Sequence, residues 1–222
     1  IYAISQYVID STLGTISILC SPKSPQLPAT RSGTIFLHLT QLIQSIITHH
    51  RLKLKGHFPL VQLSLQGLLR CFFLPISNYT AHSSETIASG FETVPVWLTN
   101  PQFQLNSRNA ESYTRLLTLI NDPSVSSVQE RRSGLFVSAT KKWKRMSMFF
   151  MRFVLYDYIN WQLKFRISPE VKEKLLPGFY SFLENTTPEM RKLISAELNS
   201  SGRALYVNLF TDYTKFKNRG GL

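Results

Sequence analysis

The sequence predicts an all-α fold, an irregular stack of about seven helices joined as hairpins in the manner of an α-solenoid. Apolar residues recur every three or four positions along most of the chain, which is the spacing of amphipathic helices. The C-terminal quarter carries three closely spaced helix starts, at Ser168-Pro169, Thr187-Pro188 and Ser201-Gly202. Of the 222 residues, 43% are hydrophobic and 12% are aromatic, so the chain can fill a core. We therefore expect a single helical domain over residues 1–222.

The first 20 residues fit two patterns. Ile9, Leu13 and Ile16 recur near helical spacing, whereas residues 15–19 alternate between polar and apolar as in a strand. We favour a helix, because the segments that follow are helical. A proline-containing loop is expected after it.

The next two helices are predicted from Thr34 to His50 and from Phe58 to Leu74, each with one strongly apolar face. Arg51, Lys53 and Lys55 lie in the short turn between them. Cations at this place complement the dipole at the C-terminal end of the first helix. The short turn predicts that the two helices form an antiparallel hairpin.

Residues from about 75 to 109 predict a long loop, because this stretch contains three prolines and almost no charge. We expect a short helical turn near Val96-Trp97-Leu98, with Trp97 fixing the loop to the helices. A helix from Ala110 to Ile120 follows. The remaining helices are expected at about 135–165 and at 169–184, 188–199 and 202–217.

The charge of the chain is strongly unbalanced. It has 25 Lys and Arg residues against 13 Asp and Glu residues, a formal net charge of +12. Such a surplus attracts polyanions, and nucleic-acid phosphates are the obvious candidate because their binding releases counterions. The alternative is a basic fragment whose acidic partner is absent. The chain opens with Ile1 rather than Met, so we expect a fragment of a larger protein.

Candidate RNA-binding residues form two basic clusters, one around the start of the long helix and one in the C-terminal tail. They are Arg131, Arg132, Lys141, Lys142, Lys144, Arg145, Arg152, Lys215, Lys217 and Arg219. Lys141, Arg145 and Arg152 are spaced to share one helix face. Trp143 fits either stacking on a base or packing into the core. The alternatives are a solvated helix face for the first cluster and dipole complementation for the tail.

No pattern in the sequence points to catalysis, a cofactor or a metal. No Cys, Asp or Glu stands at ligand spacing from the five histidines, and no phosphate-binding glycine loop occurs. Cys20 and Cys71 are expected to be buried free thiols in a reducing compartment. No run of 18 apolar residues is present, so no membrane-spanning helix is expected. These observations favour a docking module over an enzyme.

Several segments also carry a family signature, densest at the C-terminal end. The segments are LLPGFYSFLE at 175–184, the Pro-Glu start at Pro188, SGRALYVNLFTDYTKFK at 201–217, SYTRLLTLINDP at 112–123, Tyr156-Asp157-Tyr158-Ile159 and Lys55-Gly56-His57-Phe58. Together they resemble the C-terminal domain of the nucleolar unhealthy ribosome biogenesis protein 2 family, from about residue 30 onward.

The resemblance implies a place in the nucleolus, on early precursors of the large ribosomal subunit. It also implies that the chain works with other assembly factors, including a DEAD-box helicase. Our hypothesis is a non-enzymatic scaffold in large-subunit assembly and pre-rRNA processing, which docks protein partners and pre-rRNA. The alternative is a purely protein-binding helical module with no direct RNA contact.

Overall fold

The computed structural model describes residues 4–75, 94–121 and 134–220. Eight α-helices lie in these ranges, which confirms the all-α stack and resolves the first 20 residues as helical. They are α1 (Gln6–Leu19), α2 (Ser32–His50), α3 (Phe58–Arg70), α4 (Ser107–Asn121), α5 (Gly134–Gln162), α6 (Pro169–Glu184), α7 (Pro188–Glu197) and α8 (Ser200–Asn218).

Several helix boundaries differ from expectation by two to four residues, and two of these differences have a visible local reason. α3 ends at Arg70 rather than Leu74, because β1 (Leu74–Pro75) pairs with β2 (Phe165–Arg166) as a short antiparallel bridge. α8 begins at Ser200 rather than Gly202, because the Asn199 side chain caps it by accepting a bond from the Gly202 amide at 2.7 Å. The expected start at Ser201-Gly202 was therefore wrong by two positions.

The first six helices form two layers, in which α1 to α4 each pack mainly against the helix two positions further along the chain. α1, α3 and α5 form one layer, and α2, α4 and α6 form the other. The α1–α2 and α2–α3 pairs also touch, so the expected α2–α3 hairpin joins the layers rather than forming the main interface. This order of contacts is typical of a stack of helical hairpins.

Within a layer, neighbouring helices run parallel. Between α1 and α3, Asp10 Oδ1 lies 3.0 Å from His57 Nδ1, and one turn later the Ser64 hydroxyl donates to the Leu13 carbonyl at 2.9 Å. Both contacts advance in the same chain direction. The layers are therefore built from parallel neighbours connected through antiparallel steps.

α4 and α6 approach one another most closely. Lys174 Nζ lies 3.0 Å from Glu111 Oε1 near the start of both helices, and the Asn121 amide donates to Ser181 at 3.1 Å near their ends. A Cβ on Gly178 would lie 3.2 Å from the Thr114 Cα and 3.2 Å from Leu117 Cβ, so a larger residue would push the two helices apart. α8 then packs on α5 and α6 at the C-terminal end of the stack.

Trp97 fixes the segment before α4 to α1, as expected. It lies in a 3₁₀ turn at Val96–Leu98, is buried, and donates its indole N–H to the Leu19 carbonyl at 2.7 Å. Residues 76–93 of the expected long loop lie outside the described residues. Cys20 and Cys71 are buried free thiols, and burial together with the neighbouring Cys20 raises the pKa of Cys71.

Candidate nucleic-acid-binding surface

Three of the expected cations are exposed on the first half of α5: Lys142, Lys144 and Arg145, here called the α5 cations. None of the three forms an ion pair with another residue in the described parts of the chain. The sequence contains no Asp or Glu from 134 to 156, so α5 itself supplies no neutralising carboxylate near them. The side chain of Lys141, and Arg131 and Arg132 altogether, lie outside the described residues.

Trp143 lies among these cations but points into the core. It is only 4% exposed, its ring meets Phe58 edge-on at 5.1 Å, and its indole N–H donates to the Ile120 carbonyl at 2.9 Å. Of the two alternatives left open by the sequence, packing is therefore the one observed. Trp143 holds α5 against α3 and the end of α4, which turns its charged neighbours outward.

Arg152 shares the sequence stripe but has intramolecular partners. Its side chain is only 12% exposed, with Nη2 3.7 Å from Glu197 Oε1. Its guanidinium also lies over Phe149 at 4.4 Å and over Phe153 at 4.6 Å. Arg152 is therefore paired and largely buried, unlike the α5 cations.

The C-terminal cluster is largely neutralised. Lys217 Nζ lies 2.8 Å from Glu184 Oε1, and Lys215 Nζ lies 3.5 Å from Asp212 Oδ1. The Tyr213 hydroxyl also donates to Glu184. The hydrogen bonds from Lys217 and then Tyr213 lower the pKa of the Glu184 carboxyl.

The end of this cluster differs from the two lysines. Arg219 is exposed and forms no ion pair within the residues the structure describes. It is the C-cap residue of α8, where a cation favours the helix dipole.

The basic turn between α2 and α3 also lies beside α5. From the sequence, its cations were expected only to complement the helix dipole at the end of α2. The Arg51 guanidinium stacks over the Trp143 ring at 5.1 Å, and the exposed Lys53 and Lys55 follow in the same turn. The alternating cations of 51–55 were visible in the sequence. Their proximity to a helix about 90 residues later was not.

Among the residues that the structure describes, no three His, Cys, Asp or Glu side chains are placed to hold a metal ion. Nor is any helix in those ranges both long and apolar enough to cross a membrane.

The fold and surface together define a layered helical protein with an exposed cationic region on one helix. The chain belongs to the Urb2/Npa2 family, whose sequence model matches residues 1–220. This confirms the family resemblance and extends it to the N-terminal 30 residues.

A similar protein is the "Probable nucleolar pre-ribosomal-associated protein 2" of Schizosaccharomyces pombe. It is 20% identical over 210 residues, which cover 94% of this chain and 15% of that protein. The chain thus spans a small part of the length of the relative it matches. No solved structure matches the chain.

Proposed function

We propose that this chain is a non-enzymatic helical scaffold domain that acts in early large-ribosomal-subunit assembly and pre-rRNA processing, where it docks protein partners and contacts pre-rRNA. Membership of the Urb2/Npa2 family implies a role in ribosome biogenesis. The name of the fission yeast relative supports a nucleolar, pre-ribosome-bound setting. The chain would supply one segment of a longer protein of that kind.

The single observation that supports RNA contact is the exposure of the α5 cations without carboxylate partners. An exposed Lys or Arg that already has an acidic neighbour gains little from a phosphate, whereas an unpaired one gains the full attraction and releases counterions. The three side chains are held outward by the buried Trp143, so their arrangement is fixed by the core.

The same geometry favours backbone contact over base recognition. Trp143, the aromatic residue within the cluster, is buried and cannot stack on a base. We therefore expect binding that depends strongly on salt and weakly on RNA sequence.

The test is RNA binding by the wild type and by the variant Lys142→Glu/Lys144→Glu/Arg145→Glu over a series of salt concentrations. We expect the variant to lose most of its affinity and much of its salt dependence. Arg108→Glu/Lys164→Glu/Arg166→Glu is the matched control, with the same change in charge at exposed positions. Lys164 and Arg166 lie beyond the far end of α5, roughly 25 Å from Lys144 at 1.5 Å per helical residue.

An equal loss in both variants would show that total charge, and not the α5 cations, attracts RNA. Binding that ignores salt in the wild type would also contradict the proposal. Circular dichroism of each variant distinguishes lost contact from lost fold.

A second candidate, a protein-binding module without RNA contact, is favoured by the outer face of α1. Tyr7, Val8 and Ile18 lie on this face and are exposed, Tyr7 by 79%, and the exposed Ile4 comes just before the helix. The opposite face of α1 is buried against α3. Because every layer continues by parallel helices, the occupant that fits this face is an amphipathic helix of a pre-ribosomal protein running parallel to α1.

Crosslinking inside native particles distinguishes the two candidates. A photoreactive side chain placed at Lys144 of the full-length protein should crosslink to RNA, and one at Tyr7 should crosslink to protein. Protein crosslinks from both positions would favour the second candidate.

A further inference from the structure

The turn between α2 and α3 lies against the first half of α5. The Arg51 guanidinium lies 5.1 Å from the Trp143 ring, and Phe58, the first residue of α3, meets Trp143 at 5.1 Å and stacks on Phe150 at 5.3 Å. Two basic segments that are far apart in sequence are therefore joined by a shared aromatic contact. Lys53 and Lys55, which follow Arg51 in this turn and are exposed, are called the turn cations below.

We propose that the turn cations and the α5 cations form one continuous RNA phosphate-binding surface. This inference rests on the proposed RNA contact and deepens it, because it assigns the contact to two segments and names the ligand chemistry as the sugar-phosphate backbone. Neither segment forms the surface alone.

The charge pattern around the turn supports a role beyond dipole complementation. The sequence contains no Asp or Glu between Asp10 and Glu85, so the turn cations have no acidic neighbour in their own segment. Asp10 also lies near this turn, and its Oδ1 is 3.0 Å from His57 Nδ1 rather than on a lysine. Lys53 donates to the Ile4 carbonyl, which positions its ammonium without neutralising it.

The packing of Trp143 joins the two segments. Trp143 contacts Arg51 and Phe58 on one side and donates to Ile120 on the other. Lys142 and Lys144, which flank it, are thereby fixed relative to the turn. A preformed array of the two turn cations and the three α5 cations loses less entropy on binding than cations on unconnected segments would.

The salt dependence of binding gives a quantitative expectation. Each phosphate contact on single-stranded RNA contributes about −0.7 to the slope of log affinity against log salt, so five contacts predict a slope of about −3.5. The α5 cations alone would give about −2.

The experiment compares binding of a single-stranded RNA of mixed sequence by three double variants, each losing two positive charges. Lys53→Gln/Lys55→Gln changes the turn and retains Arg51, which packs on Trp143. Lys142→Gln/Lys144→Gln changes α5, and Lys164→Gln/Arg166→Gln is the control. We expect the first two variants each to lose about tenfold in affinity and about 1.4 units of slope, with the control within twofold of the wild type.

The outcomes separate the inference from the function on which it rests. If the turn variant behaves like the control while the α5 variant loses affinity, the inference is wrong and the proposed RNA contact stands. If the wild type shows no salt-dependent binding, the proposed RNA contact itself is wrong. Equal losses in all three variants would overturn both.

Discussion

The first half of α5 and the last turns of α8 are both basic, but they have different surroundings. Both are lysine-rich helical segments next to an aromatic residue, and both were assigned to RNA from the same signal. The α5 cations have no carboxylate partners among the described residues, whereas Lys217 is paired with Glu184, 33 positions earlier in the chain. The difference teaches that tertiary packing, and not local charge density, decides which lysines can bind a phosphate.

The tail lysines have a structural role that the α5 cations lack. Glu184 at the end of α6 accepts from both Tyr213 and Lys217, and Tyr180 packs against Phe216 at 5.1 Å. These contacts join α8 to α6. The same residue type therefore secures a helix junction in one region and faces solvent in the other.

The largest expected effect is on the anchor of the α5 cluster. Trp143→Ala removes a buried side chain, its contact with Phe58 and its hydrogen bond to Ile120, and should lower the free energy of unfolding by about 3–5 kcal/mol. Denaturant unfolding measures the loss. Phe149→Ala is the control on the same helix, because Phe149 is 46% exposed, and should cost much less. Similar losses in the two variants would contradict the role of Trp143 as the anchor.

A smaller effect is expected when the tail loses its charge. Lys215→Gln/Lys217→Gln should change RNA affinity by less than about twofold, because both lysines already have carboxylate partners. The matched comparison is Lys142→Gln/Lys144→Gln, measured with the same RNA and salt. A loss in the tail variant as large as in the α5 variant would break the distinction between the two regions.

The smallest effect is expected from Glu184→Gln. In the folded protein the pKa of Glu184 is lowered, first by Lys217 and then by Tyr213, so its ionised form favours folding above the ordinary glutamate pKa. That contribution is lost as the pH falls through the lowered folded pKa. The variant should therefore be slightly less stable than the wild type at neutral pH, with the difference vanishing in acid. Thermal unfolding between pH 7 and pH 2 measures it.

Glu184→Gln should also change RNA affinity. Glu184→Gln leaves Lys217 without its partner, so RNA affinity should rise slightly. Glu173→Gln, an exposed carboxylate on the same helix, controls for the change in net charge. A larger rise in the control would show that the Lys217 pair does not matter for binding.

The positions of the helices could be predicted because the local spacing of apolar residues indicates them. Which helices pack together could not be predicted in this way. The apolar spacing predicted α2 to α8, and Thr187 caps α7 as expected by accepting from the Met190 amide at 3.2 Å. The start of α8 was predicted two positions too late. Asn199 and Ser201 are both good capping residues, and the sequence alone does not choose between them. Choosing between them requires the position of the preceding turn.

The candidate site was predictable only as a composition. The basic run on α5 was visible in the sequence. Whether Trp143 is buried and whether Arg152 is paired depend on Ile120 and Glu197, which belong to other helices. The turn cations were visible yet unassigned for the same reason. Their relevance depends on which layer α5 joins, and sequence spacing within one helix carries no information about that.

The alternation of the two layers restricts how this architecture can change in length. Within α1–α6, each helix has its lateral neighbour two places along the chain, and odd and even helices point in opposite directions. Inserting or deleting one of these helices would move the later ones to the other layer and reverse their chain direction. Growth or shortening of such a protein during evolution should therefore proceed by pairs, and deletions designed at the bench should respect the same parity.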